Sequence, residues 1–336
     1  MTVKRVLFIV FIALIPGRLW ADYKPEFKLS LNVNAETSWG RAAQRFADTV
    51  RYRTGGRIRI TCFFDAQLFK GEQLSEFELL RKGSADFSVG STINWSPQVK
   101  ELNLFAMPFL ISTYAQVDAV QAGPPGERIF AMIEQNGVIP LAWGENGFRE
   151  LTNAHRPIRR PEDLRGLRIR TVGVPIFRET FQALGAIPTS MNWDEAQKAF
   201  RDATVDGQEN PVALIVPYKL YLAHNHITLW RYTIDPLILA ASANTWTALT
   251  PDDRVIVRRA AETVMAEQKK EAREGLEDAM TAMDVLHKVY GMEVTKLSDE
   301  EVQAFRDKTQ PVYARWAIEI GAELVRSAEA IVGNVK

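Results

Sequence analysis

The sequence predicts an α/β protein of two lobes around a cleft. Three observations carry this reading. A strand, a helix and a second strand open the chain after its leader. A second series of strands and helices lies between Gly147 and Pro211. And 336 residues suffice for two lobes, each with a substantial core. Hydrophobic residues at 46% and charged residues at 24% are ordinary for a globular protein. The formal net charge of zero argues against nucleic acid or an anionic membrane as partner.

Residues 1–21 read as an export signal. Lys4 and Arg5 precede an apolar run over 6–15, too short for an ordinary membrane span, and Pro16-Gly17 ends it. Cleavage is expected after Ala21, with an uncleaved anchor as the alternative. No cysteine follows to make a lipoprotein. The signal takes three bases and no acid with it, so the mature chain is slightly acidic and is expected outside the cytoplasm.

The mature chain opens with alternation over 27–33, where Phe27, Leu29, Leu31 and Val33 share a face. Thr37 or Ser38 can cap the helix that follows, with Ala42, Phe46 and Val50 on its apolar side. Gly55-Gly56 stops it, and 57–64 is the next strand. A βαβ opening implies a parallel sheet with right-handed crossover. Cys62, the single cysteine, excludes an internal disulfide framework and any multi-thiolate metal site; a buried inert thiol outweighs a nucleophile there. A helix over 72–82, a strand over 85–89 and a strand over 138–144 follow. The chain is expected to cross into the second lobe between Trp143 and Gly147. There 175–184 and 193–200 read as helices, the second capped by Asn192. A strand over 233–241 returns to the first lobe. Thr250-Pro251-Asp252-Asp253 starts a helix that could run through His287. A strand over 292–297, a helix capped by Ser298 and a last helix over 310–331 complete the chain. Lobe I is thus expected over 22–146 plus about 234–270, and lobe II over 147–233 plus about 271–336.

The chemistry concentrates between Gly147 and Pro211. Arg149 and Arg170 each sit in an apolar run that reads as a strand. A cation there is costly unless it meets an anion. No carboxylate stands beside Arg170 in sequence, so the anion can come from outside; the alternative is a surface arginine paired with an acid such as Glu179. The guanidinium fork suits a carboxylate, with two parallel hydrogen bonds. Asn210, between Glu209 and Pro211, can fix a carboxyl or hydroxyl group; the alternatives are a solvated Arg149 and a turn asparagine. These residues point to a pocket for a small organic acid.

The same stretch carries a resemblance. GFRELTN, DLRGLRIR, LGAIPTSMNWDE and VDGQENP, in this order and spacing, resemble blocks of the solute-binding subunits of TRAP (tripartite ATP-independent periplasmic) transporters, the DctP-like family. The likeness runs from about Lys28 to the end, and AMPFL at 106–110 matches a proline-containing turn of the family. It implies a bilobal periplasmic-binding-protein-like fold with a hinged cleft and a long helix spanning both lobes. It implies Arg170 as the carboxylate ligand, Arg149 as a second cation, Asn210 as an amide contact and Trp193 as an aromatic wall, with a core tryptophan as the alternative for the last. TVGVP replaces a shorter turn of many relatives, which puts the loop path in doubt. It also implies delivery from the periplasm to TRAP membrane permease subunits, with uptake driven by an ion gradient.

Asn34, Trp39 and Ser91 are weaker candidates for the opposite wall. A mono- or dicarboxylate fits, the second carboxylate on Arg149; Trp39, Trp95 and Trp193 could favour a branched or aromatic acid. No cofactor or metal is expected: HExxH, GxSxG, Walker and GxGxxG patterns are absent, and His224 and His226 lack a third ligand. A monomer that is not an enzyme is expected; an exported enzyme or a sensor subunit binding the acid are the alternatives.

Overall fold

The computed structural model describes residues 23–276 and 281–335, so the expected signal at 1–21 lies outside the described residues. Nine strands form one mixed sheet: β1 Phe27–Ser30, β2 Ile60–Phe63, β3 Phe87–Ser91, β4 Val138–Asn153, β5 Arg168–Thr171, β6 Ile187–Ser190, β7 Gly207–Pro211, β8 His226–Ser242 and β9 Glu293–Lys296. Their order is β2-β1-β3-β8-β4-β7-β5-β6, with β9 also on β8. The long strands β4 and β8 pair antiparallel from Val138–Ser242 to Asn153–His226. One end of β8 pairs with β3 and its other end with β9. The ribbon therefore belongs to both halves of a bilobal α/β body. One half is β2-β1-β3, the other β7-β5-β6 and β9.

Local sequence explains the elements. Thr37 caps helix Ser38–Arg53 by accepting from Gly40 N, a contribution of about 1 kcal/mol. Its buried face is Ala42, Phe46 and Val50, packed under β1 and β3 with Phe87 and Val89. A larger core joins the halves, from Phe77 and Phe105 to Phe181, Trp230 and Phe305. A third core, with Trp193, Phe200, Ile215 and Met292, covers the outer face of the second half. No helix among the described residues is long and apolar enough to cross a membrane.

Several expected boundaries move. The strand expected over 57–64 spans only Ile60–Phe63, and Cys62 is half-buried, its thiol pushed up to about 12 by burial and by Asp48. The helix drawn over 72–82 is a short 3-10 turn followed by Glu76–Arg81. The helix begun at Thr250 ends at Arg273, because Gly275 adopts φ +72°, and a separate helix spans Thr281–Lys288. Ser298 does cap a helix, but it runs on to Ile320 through Pro311. The break comes at Gly321, φ +119°, before Ala322–Asn334. That last helix packs on Tyr114–Ala122 and Pro124–Gln135, with Gln116 donating to Val332 O. The end of the segment expected in lobe II therefore lies against lobe I.

β4 runs straight through the expected crossing between Trp143 and Gly147. Its register with β8 shifts there, between Glu145–Pro236 and Gly147–Asp235. Pro236 has no N–H to give the ladder. Gln268 supplies the substitute: its side chain accepts from Glu145 N at 2.9 Å and donates to Glu145 O at 2.6 Å. A Cβ at Gly144 would press on Met265 Cε at 2.1 Å and Gln268 Oε1 at 2.9 Å, so glycine leaves those two side chains room beside the strand. Gly147, at φ +122°, completes the bulge.

Candidate ligand-binding site

The four residues singled out in the second half converge on one cavity at the junction of the halves. Arg149 comes from β4, Arg170 from the end of β5, Asn210 from β7 and Trp193 from the first turn of helix Trp193–Arg201. The opposite wall comes from Asn32 after β1, Trp39 in helix Ser38–Arg53, Gln73 in the 3-10 turn after β2, Ser91 at the end of β3 and Asn94 in the turn beyond it. Asp235 of β8 and Asn146 of β4 lie between. The cavity is small, about 40 Å³.

Strand parity places Arg170. Ile169 faces the large core, while Arg168 and Arg170 share the other face. Arg168, at the open end of β5, pairs with Asp206. Arg170 is 2% exposed, and its Nε and Nη2 donate to Met191 O at 3.2 and 2.8 Å. The guanidinium carbon lies 5.4 Å from the centre of the Trp193 ring. No carboxylate among the described residues forms an ion pair with it. Burial pushes its pKa down to about 10, with Glu209 opposing and Arg149 adding to the fall. The alternative partner, Glu179, is instead held by Arg315 and by Trp316 Nε1.

Arg149 is buried too, but its charge is met. Antiparallel register puts Arg149 opposite Pro211 and Leu151 opposite Glu209, so Arg149 and Glu209 are diagonal neighbours on one face. Arg149 Nε and Nη2 donate to the two Glu209 carboxylate oxygens, and Nη1 lies 3.4 Å from Asp235 Oδ2. Burial works against the charge, yet Glu209 and Asp235 raise the pKa above the ordinary arginine value. The solvated arginine weighed from sequence is not what is found. Tyr232 adds a hydrogen bond to Glu209 at 2.6 Å. Asn210 donates to Gln208 Oε1 at 2.5 Å. Trp193 both lines the cavity and packs edge-on against Tyr218 and Phe200.

Sequence reasoning missed Asp235, Asn32, Gln73, Asn94 and Asn146. No spacing connects them; the fold gathers them from five segments. Asp235 Oδ1 accepts from Ser91 at 2.6 Å and Oδ2 from Asn146 at 2.8 Å, while burial raises its pKa against the pull of Arg149. Of the weaker candidates, Ser91 and Trp39 line the cavity. Asn34 does not: its N–H donates to Tyr218 Oη at 2.9 Å, and Asn192 reaches Glu72 at 3.1 Å, so two hydrogen bonds bridge the halves. Trp95 is fully buried and bonded to Glu76. The paired histidines face separate partners, His224 on Thr152 and His226 on Glu293.

Relatives carry the same architecture. The chain is 45% identical to a TRAP periplasmic solute-binding protein of Ralstonia eutropha H16, solved with (S)-2-acetolactate bound. The TM-score is 0.91, over 93% of this chain and 99% of that one. A similar protein of Polaromonas sp. JS666, bound to D-erythronate, is 30% identical with a TM-score of 0.83, over 91% and 98% of the two chains. The C4-dicarboxylate-binding protein DctB of Bacillus subtilis is 27% identical over 305 residues, 89% of this chain and 84% of its own. The DctP family model, bacterial extracellular solute-binding protein family 7, matches residues 29–319, and the chain belongs to that family.

Proposed function

We propose that this protein captures a small organic acid outside the cytoplasmic membrane and delivers it to TRAP membrane permease subunits for ion-gradient-driven uptake. The observation that carries the reading is Arg170: a buried guanidinium, seated on Trp193, at the edge of a small cavity, in no ion pair with a carboxylate among the described residues. A ligand carboxylate would complete it with charge-assisted hydrogen bonds. Arg149 and Asn210 form the polar floor and Trp193 the apolar wall. Relatives solved with (S)-2-acetolactate and D-erythronate agree with an acid of this size. The lobes are taken as 22–146 with about 234–270, and 147–233 with most of the remainder. A ligand touching both favours the closed arrangement by its differential affinity for it.

The test is calorimetric titration of the exported protein with a panel of small carboxylates, repeated on Arg170→Ala. The variant is expected to lose at least ~1.5–3 kcal/mol of binding free energy while keeping its far-UV spectrum. Unchanged affinity would refute the assignment.

A further inference from the structure

We infer that the site selects a short hydroxylated monocarboxylate, and that Asp235 is the residue that turns a second carboxylate away. The inference rests on the reading of Arg170 given above and concerns the far end of the same cavity.

The two ends of the cavity have opposite hydrogen-bonding character. Among the described residues, Arg149 and Arg170 are the only basic side chains that line it, and Arg149 is already engaged by Glu209 and Asp235. One cation is therefore left for one carboxylate. Away from Arg170 the wall is rich in acceptors. Asp235 presents a buried carboxylate there, met by Ser91 and Thr92 on Oδ1 and by Asn146 and Arg149 on Oδ2, so its contribution is its negative charge. Gln73 is 4% exposed; its amide nitrogen is fixed on Asn94 Oδ1 at 3.0 Å, and its Oε1 has no partner. Asn32 Oδ1 is likewise buried and unpartnered. A buried acceptor left without a donor is costly.

A ligand hydroxyl satisfies such a wall, because it donates to a carboxylate or an amide oxygen. A second ligand carboxylate does the opposite. It brings acceptors to acceptors and a negative charge to Asp235, in a site whose other cation is spent. An alkyl acid leaves Gln73 and Asn32 unmet. The size limit follows from the void, which at about 40 Å³ is small and favours a short acid.

The experiment is competitive titration of the purified protein with three matched acids: glycerate, propionate and malate. Glycerate is expected to bind at least tenfold tighter than either of the others. In Asp235→Asn the malate-to-glycerate affinity ratio is expected to rise at least tenfold, with folding checked by thermal melting. Should that variant not fold, Gln73→Leu serves instead: glycerate is expected to lose at least fivefold in affinity while propionate does not. Malate binding as tightly as glycerate, propionate matching it, or an unchanged ratio in the variant overturns the selectivity and leaves Arg170 as the carboxylate ligand. Carboxylates that bind the wild-type protein and Arg170→Ala equally overturn the Arg170 reading and this inference with it.

Discussion

Arg149 and Arg170 make an instructive pair. Both are buried strand arginines, both lie beside an aromatic ring, Phe177 at 5.6 Å and Trp193 at 5.4 Å, and both line the same cavity. They differ in what answers the charge. Arg149 has two carboxylates, one of them held at both oxygens; Arg170 has one backbone carbonyl. Removing two charges from water costs several kcal/mol per ion, and only good partners repay it. Arg149 is therefore part of the framework. Arg170 keeps an unmet demand that a visitor can satisfy, so the same side chain in the same kind of place serves stability once and recognition once.

Substitutions can break or sharpen this contrast. The largest effect is expected from Arg149→Met, which leaves Glu209 and Asp235 buried without their cation. Urea unfolding is expected to show a loss of ~3–5 kcal/mol. Tyr232→Phe removes a neutral donor from Glu209 and is expected to cost ~1.5–3 kcal/mol by the same assay. A loss as large as that of Arg149→Met would mean that the tyrosine, not the arginine, holds Glu209.

The residue after Arg149 gives a pH test. Glu150 accepts from Trp230 N and Arg231 N at 2.7 and 3.1 Å and so holds the β8 bulge, where Arg231 has φ +46°. Burial raises its carboxyl from 4.5 to about 7 against those two bonds. The folded state then holds a proton that the unfolded state has released. The stability this contributes is complete below about pH 4.5 and is lost as the pH rises through about 7. Glu150→Gln is expected to flatten the melting temperature over that window. An unaltered pH profile would show that Glu150 is not the group responsible.

The smallest effect on folding is expected from Arg170→Met. Without ligand its stability should stay within about 1 kcal/mol of the wild type or rise, since an unanswered buried charge is replaced by a side chain of similar volume. A carboxylate that raises the wild-type melting temperature should leave this variant unmoved. Destabilisation equal to that of Arg149→Met would erase the distinction between the two arginines.

What the sequence makes legible follows from what is local. Alternation around Arg149 and Arg170 marks strands, and the capping residues Thr37, Asn192 and Ser298 mark helix starts, because those signals act within a few residues. The pairing of Arg149 with Glu209 is not local. It depends on the antiparallel register of β4 and β7 across 60 positions, which no spacing encodes. The acceptor wall fails to show for the same reason. Helix ends are hard to read where a helix-compatible run hides a conformational break: one helix stops just before Gly275, and another runs on through Pro311.

The fastening of Glu145 by Gln268 bears on how such a body flexes. Where β4 and β8 pass from one half to the other, Pro236 has already removed a rung, and a side-chain amide from a neighbouring helix stands in its place. Bending at that point strips the ribbon of no backbone rung it still owns. The joint is thereby built into the strands themselves, with one glutamine fastening it from outside.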